Sequence, residues 1–450
     1  MVNIFIQVSK YIMIVEFALY TFLCFSALRT KTEKKRDRIN VSQRTMIFII
    51  QFLGFLNVLI YTGEAKSILF FAVEEALFVF LICTYGLFYK NAPKIVLNNL
   101  CMLLSIGLLF LQRLDESLAV RQLIFAIIAS VVTMGIPWLM KKVTIWDHFA
   151  WLYAIVGIAA LGAVAVAGAV SYGAKLSLSV GDLSLQTSEF VKIIFVFYLA
   201  SVLYKSTSFQ TVVRVSIVAA AHVLILVGTK DLGAALIFFM VYLIMLYVST
   251  QKIRYLFAGI FVGAVGSVAA YFLFSHVRTR VIAWLDPFSV IDDAGYQIAQ
   301  SLFAIGSGGW FGSGLFMGYP ESIPVVEEDF IFSAIAEELG CFFAICLILI
   351  CVSCFFMFLN IAMRFRTRFY KLISLGLGVV YVVQVFLMIG GVTKFIPSTG
   401  VTLPLVSYGG SSLLATFILF SIILGLYIFK EREDEYIAKE ERKQGRKEKQ

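Results

Sequence analysis

Few residues in this chain are equipped for chemistry, and most fall in a handful of polar stretches. Glu327-Glu328-Asp329 closes the longest of these, His276–Asp329, and stands directly before the apolar run Phe330-Ile331-Phe332. Asp329 fits two compatible roles. Asp is a favoured N-cap at the start of a helix, and the helix dipole would keep it ionised there. A carboxylate held rigidly at a membrane surface is also a candidate general base. Glu327 and Glu328 read as solvated loop acids, or as partners of Asp329 in attracting a divalent cation. Arg278 and Arg280 open the same stretch, while Lys175 and Lys394 lie in two other polar segments. Glu189 and Lys192 are three residues apart near the start of an apolar run, so they share a helix face. Charges there are costly, so they either pair structurally or line a cavity. Gly306-Ser307-Gly308-Gly309 is glycine-rich but has no following Lys-Ser/Thr, so it is not a nucleotide loop.

The scaffold that must hold these residues is apolar. Of 450 residues, 60% are hydrophobic and only 14% charged, and the mean hydropathy is +0.92. Soluble domains carry about 25% charged residues. The chain therefore reads as an all-α polytopic membrane protein, because its apolar runs are too long and continuous for barrel strands. About thirteen runs approach the roughly 20 residues that a span needs. The net charge of +9 sits in short loops and tails, as the positive-inside rule requires, so nucleic acid is not an expected partner. The basic segment 29–44 is the strongest cytoplasmic marker. It places the N-terminus outside, the C-terminus inside, and the stretches 276–329, 171–186 and 393–404 together on the outer side. Ile4–Leu28 reads as an uncleaved span. The seven cysteines lie in apolar runs with no zinc spacing. Tyr296–Ile305 has helical apolar spacing and is expected to form a short helix lying flat in the interface. Glu74 and Glu75 fall in the third span with no evident role, and Lys230-Asp231 reads as a turn.

Three stretches point to one family. Pro397-Ser398-Thr399-Gly400-Val401-Thr402-Leu403-Pro404-Leu405-Val406-Ser407-Tyr408-Gly409-Gly410-Ser411-Ser412 closely resembles the signature of the SEDS family, the shape, elongation, division and sporulation proteins. Asp286-Pro287, Gly295-Tyr296-Gln297 and Gly306-Ser307-Gly308 resemble that family's large outer loop. Asp329-Phe330-Ile331-Phe332 with Ala336-Glu337-Glu338-Leu339-Gly340 resembles the helix after it. Gln186-Thr187-Ser188-Glu189 with Lys192, and Asp231-Leu232-Gly233, resemble two shorter family motifs. The resemblance covers about residues 95–430. It implies a core of about ten helices preceded by about three extra N-terminal spans (1–94, including the basic loop 29–44), and followed by a charged cytoplasmic tail, 431–450. Departures from the family pattern include Thr187 and Lys230 in place of prolines, and Glu327-Glu328 in place of His-Thr.

The same resemblance implies a peptidoglycan glycosyltransferase of the cytoplasmic membrane, polymerising lipid II into glycan for division, elongation or sporulation beside a class B penicillin-binding protein. The family's essential aspartate falls on Asp329 and its loop glutamate on Glu321, and Ser407 lies in the substrate-facing signature. In such a reaction a sugar hydroxyl attacks an anomeric carbon and a polyprenyl pyrophosphate leaves. One carboxylate base suffices, and the leaving anion needs positive charge rather than a paired acid. Arg278, Arg280, Lys175, Lys394 and Lys192 are the candidate cations, with Glu189 beside the last. A divalent cation, Mg or Mn, could share that work. Two rival readings are a lipid-linked precursor flippase or other transporter, centred on Glu189, Lys192 and Glu337, and a non-catalytic scaffold for a penicillin-binding protein.

Overall fold

Without water, backbone N–H and C=O groups must be satisfied within their own segment, so long apolar runs fold as helices. The computed structural model describes the backbone of residues 2–30, 32–143, 145–171, 174–180 and 183–447, with side chains described outside 169–176, 178–183 and 431–447. Helices α1 (Val2–Arg29), α2 (Glu33–Thr62) and α3 (Lys66–Phe88) come first. They are followed by α4 (Lys94–Leu114), α5 (Glu116–Thr133), α6 (Ile136–Lys142) and α7 (Ala150–Ala167). Strands β1 (Ala169–Ser171), β2 (Ala174–Val180) and β3 (Leu183–Leu185) lead into α8 (Thr187–Leu203), α9 (Phe209–Gly228), α10 (Leu232–Thr250) and α11 (Ile253–Leu273). Then come α12 (Ser275–Leu285), α13 (Tyr296–Gly308), α14 (Ile331–Arg364), α15 (Arg368–Val392) and α16 (Gly410–Lys447).

Among the described residues, 12 helical segments are long and apolar enough to cross a membrane, with α5 and α6 forming one of them. α8 has 17 residues, just under the 18 of the shortest of these; adding it gives the expected thirteen. The basic turns gather at one end: Arg36, Lys90, Lys94 and Arg364 line one cleft with Tyr427 of α16. The long loop stretches gather at the other, which we call the loop end.

Two departures from expectation matter for the site. The stretch 171–186 is not simple loop: β1, β2 and β3 pair antiparallel in that order, with Val170 opposite Lys175 and Ser179 opposite Ser184. β2 alternates Leu176, Leu178 and Val180 with Ser177 and Ser179, the two-residue period of a strand. The stretch 276–329 is also largely structured, with α12 and α13 inside it.

α14, expected as one helix, is broken at Gly340 (φ 87, ψ 164). α13 packs alongside its first segment, Ile331–Leu339, and the chain 309–314 then inserts at the break. The Cys341 and Phe342 N–H groups donate to the Gly309 and Trp310 carbonyls (2.9 and 3.2 Å). In return the Ser313 and Gly314 N–H groups donate to the Glu337 and Glu338 carbonyls (2.9 and 2.8 Å). This approach explains the glycines: a Cβ on Gly308 would lie 2.2 Å from the Ala336 carbonyl oxygen, and one on Gly312 2.3 Å from that of Glu338. The buried acids are served in the same place. Arg113 of α4 meets Glu338 (Nε–Oε1 2.8 Å) and Glu321 (2.5 Å), while Glu337 accepts the Tyr319 N–H (2.9 Å).

α1–α3 are built into the bundle. Phe17 stacks on Phe343 of α14 at 3.9 Å, and the Tyr20 hydroxyl donates to Asn99 of α4 (2.8 Å). Gly312→Ala is expected to cost about 2 kcal/mol or more, because it adds both a clash and strain at φ +74. Gly306→Ala, with open space around it, is expected to be near neutral. Thermal melts of the two purified variants decide this; equal melting temperatures would contradict it.

Candidate active site

The site is assembled where the 397–412 segment meets α12 and the start of α14. The Tyr408 N–H donates to the Glu327 carbonyl (2.9 Å), which ties that segment to the chain two residues before Asp329. On α12, Arg280 and Trp284 are one turn apart on a common face. Arg280 Nη1 donates to the Ser398 carbonyl (3.2 Å) and Trp284 Nε1 to the Lys394 carbonyl (3.1 Å). Gly400 lies between the two key charges. A Cβ there would sit 3.3 Å from Arg280 Nη2 and 3.9 Å from Asp329 Oδ2. With no side chain and a φ of +68, Gly400 brings the 397–412 backbone close against both Arg280 and Asp329.

Asp329 is half-buried, surrounded by protein but partly accessible. It is not the N-cap: Phe330 occupies that position, with no side-chain cap. Burial pushes the Asp329 pKa up to about 6; Arg280 pulls it down, and Glu327 adds a small upward push. Glu328 rises to about 7, through burial first and then the Asp329 and Glu327 charges. The basic rim includes two residues not singled out as cations by sequence. His276 has its pKa lowered by burial and then by Arg280 and Lys230, so these three basic groups share one neighbourhood. Lys230, in a left-handed turn (φ 65), stands where the family pattern has proline.

A polar wall runs from Asp329 and Arg280 into the bundle. Arg280 senses Asp231 as well as Asp329. Asp231 caps α10 by accepting the Ala234 N–H (3.1 Å) and also accepts the Ser188 hydroxyl (3.0 Å). Gly233 lets α10 touch the 397–412 backbone, since a Cβ there would lie 2.8 Å from the Thr399 carbonyl oxygen. Deeper in, Lys192 pairs with Glu189 (2.6 Å) and donates to Gln384 Oε1 (2.7 Å). Gln384 Nε2 in turn donates to the Thr402 carbonyl (3.1 Å). Lys192 is 4% exposed and Glu189 8%, so in this conformation the pair is a buried tie between α8, α15 and the 397–412 segment.

The remaining expected residues are dispersed. Arg278 turns away, donating to the Phe272 carbonyl (3.3 Å) at the end of α11. Glu321 is held by Arg113 beside the α14 break. Lys394 is half-buried in a left-handed turn (φ 59) and meets the site through its carbonyl. Ser407 is buried and accepts the Leu403 N–H (2.9 Å), shaping the turn. The Lys175 side chain lies outside the described residues. Gln122 of α5 was missed: its amide brackets the segment by donating to the Ser407 carbonyl (3.1 Å) and accepting the Gly409 N–H (3.2 Å). A lone glutamine in an apolar run was the only signal. Among the described residues no group of three or more His, Cys, Asp or Glu side chains fits a metal ion. Glu327, Glu328 and Asp329 do not form one.

The raised pKa has a consequence for stability. A carboxyl whose folded pKa exceeds its ordinary value binds its proton more tightly when native, so stability falls as pH rises through about 6. Asp329→Asn is therefore expected to raise the melting temperature at pH 8 and to leave it unchanged near pH 4. Melts at the two pH values test this; no gain at pH 8 would show that Asp329 carries no burial penalty.

Known proteins resemble this chain in sequence and in fold. The family described as cell cycle protein, grouping FtsW, RodA and SpoVE, matches residues 89–432. The peptidoglycan glycosyltransferase RodA of Mycobacterium tuberculosis is 32% identical over 365 residues, covering 75% of this chain and 78% of its own. Stage V sporulation protein E of Bacillus subtilis is 30% identical over 362 residues, covering 75% and 97%. A chain of a peptidoglycan synthase complex that coordinates polymerization and crosslinking has the same fold, with a TM-score of 0.63 and 24% identity over 74% of this chain and 96% of its own. Thermus thermophilus RodA matches with a TM-score of 0.54 and 22% identity over 74% of this chain and 95% of its own. With its 397–412 signature folded against Asp329, the chain belongs to the SEDS family of FtsW, RodA and SpoVE proteins.

Proposed function

We propose that this protein is a peptidoglycan glycosyltransferase that polymerises lipid II, with its loop end on the outer face of the cytoplasmic membrane, its N-terminus outside and its C-terminus inside. The observation that carries this reading is the half-buried carboxylate of Asp329 beside Arg280, both lying against Gly400 of the 397–412 signature. The names of its relatives supply the activity class. Asp329 accepts the proton of the attacking sugar hydroxyl, and the new glycosidic bond forms as the anomeric carbon releases its pyrophosphate. With a pKa of about 6, the carboxylate is ionised at neutral pH yet more basic than an ordinary aspartate, the compromise a general base needs. Arg280 and Lys230 offer the positive charge that the leaving pyrophosphate requires, and His276, whose pKa is lowered, adds a neutral hydrogen-bonding group beside them. The apolar flanks of the bundle suit the polyprenyl tails. A class B penicillin-binding protein as partner is supported by the fold shared with a chain of a peptidoglycan synthase complex.

Polymerisation of lipid II by the purified protein with its partner tests the reading. Asp329→Ala is expected to lose at least about 100-fold in rate. Parent-level polymerisation by that variant would remove Asp329 as the base, and lipid II translocation without polymerisation would favour a flippase. The rate should rise with pH through about 6 and then level off, since only the ionised carboxylate accepts a proton. Arg280→Gln removes the charge that lowers the Asp329 pKa, so the acid limb should move to higher pH. A limb that stays in place or moves down contradicts the assignment.

A further inference from the structure

Residues 1–88 lie outside the region matched by the family, yet they reach into the part of the molecule that braces Asp329. The Ile331–Leu339 segment of α14 begins two residues after Asp329 and ends at the Gly340 break. Nine residues of helix span only about 13 Å, so a tilt at the break is transmitted to the carboxylate. The brace at that break is the inserted segment 309–314, joined by the four backbone hydrogen bonds described above.

α1 and α2 hold that segment from its other side. Lys10 is 4% exposed; its ammonium donates to the Gly312 carbonyl (2.9 Å) and to Gln7 Oε1 (2.7 Å). Gln7 Nε2 donates to the Ser313 carbonyl (2.6 Å). Two successive carbonyls are thus taken up by α1, while the Ser313 N–H donates to Glu337 of α14 and the Gly312 N–H to Gly308 at the end of α13. Tyr61 of α2 stacks on Phe316 at 4.3 Å, and Arg113 covers that ring at 4.8 Å. Phe316 has a left-handed backbone (φ 65), which a bulky residue keeps only where its surroundings fix it. Its N–H donates to Glu338 Oε1 (3.1 Å). Ser9 and Asn57 bond to each other (3.0 Å) and staple α1 to α2.

We propose that α1 is a positioning element for the reaction, and that Lys10, with Gln7, holds the Gly312–Ser313 carbonyls so that the first segment of α14 presents Asp329 in its working position. The proposal rests on Asp329 being the base. Burying a lysine in a span is expensive, and a carbonyl left bare there is expensive too, so Lys10 and the inserted segment depend on each other. A purely anchoring helix would need neither.

The test uses the full-length protein with its partner and lipid II, comparing Lys10→Met, Lys10→Arg, Gln7→Leu and Asp329→Ala. Lys10→Met is expected to lower kcat about tenfold while KM for lipid II stays within about twofold. Lys10→Arg, which keeps a charged donor, should recover most of the rate. If Lys10→Met does not accumulate as folded protein, Gln7→Leu carries the test, with a smaller loss of kcat at unchanged KM. Parent kcat in a folded Lys10→Met, or in Gln7→Leu where Lys10→Met fails to fold, overturns the proposal. So does a loss confined to KM. Parent-level activity in Asp329→Ala would instead overturn the base assignment, independently of what α1 does.

Discussion

The structure depends on the satisfaction of backbone polar groups at one interrupted helix. α14 breaks at Gly340, and a broken helix inside an apolar bundle exposes donors and acceptors that water cannot reach. The chain answers with another part of itself: residues 309–314 supply both donors and acceptors to the break. Much else follows. Glycine is required at 308, 312 and 340, because backbone meets backbone there. Arg113 is required because the break brings Glu338 into the interior. The first segment of α14 becomes a short strut with Asp329 at its head.

Around that head the 397–412 segment acts as a second brace. Its backbone is gripped by Gln122, Gln384 and the Tyr408–Glu327 bond, and its glycine at 400 lies against Asp329 and Arg280. The buried Glu189–Lys192 pair belongs to this brace. Buried pairs are weak sources of net stability but costly to break, so its contribution is better read as fixing where α8, α15 and the signature meet. The charged groups thus divide by exposure. Asp329 and Arg280 remain partly accessible and are free to meet substrate, whereas Lys192, Glu189, Arg113 and Glu338 are spent on architecture.

Much of this was legible in the sequence. Hydropathy gave most helical spans to within a few residues, because only helices satisfy such runs in an apolar medium; the exception is α2, which starts at Glu33 and makes most of the expected basic loop 29–44 helical. Asp329 stood out because it joins a long polar stretch to an apolar helix, and the 397–412 signature pointed to the family. The small sheet had a visible two-residue period in β2 but was obscured by its brevity and its polar setting. The fates of the cations were not legible. Arg278 and Arg280 are two residues apart on one helix, so they diverge: one turns back to α11 and the other faces Asp329.

The sequence by itself determined that the chain is a membrane-embedded helical bundle, which family it belongs to, and which carboxylate stands at the bundle's polar end. These are properties of composition, period and local motif, each written in consecutive residues. Only the tertiary structure decided that Arg280, rather than Arg278, Lys192 or Lys394, is the expected cation brought beside Asp329 among the described side chains. It also decided that Gly306–Gly309 leads into a helix break, and that Lys10 reaches a carbonyl 302 residues away. Those outcomes depend on which faces meet when helices pack, and packing between distant segments leaves no periodic trace in either one.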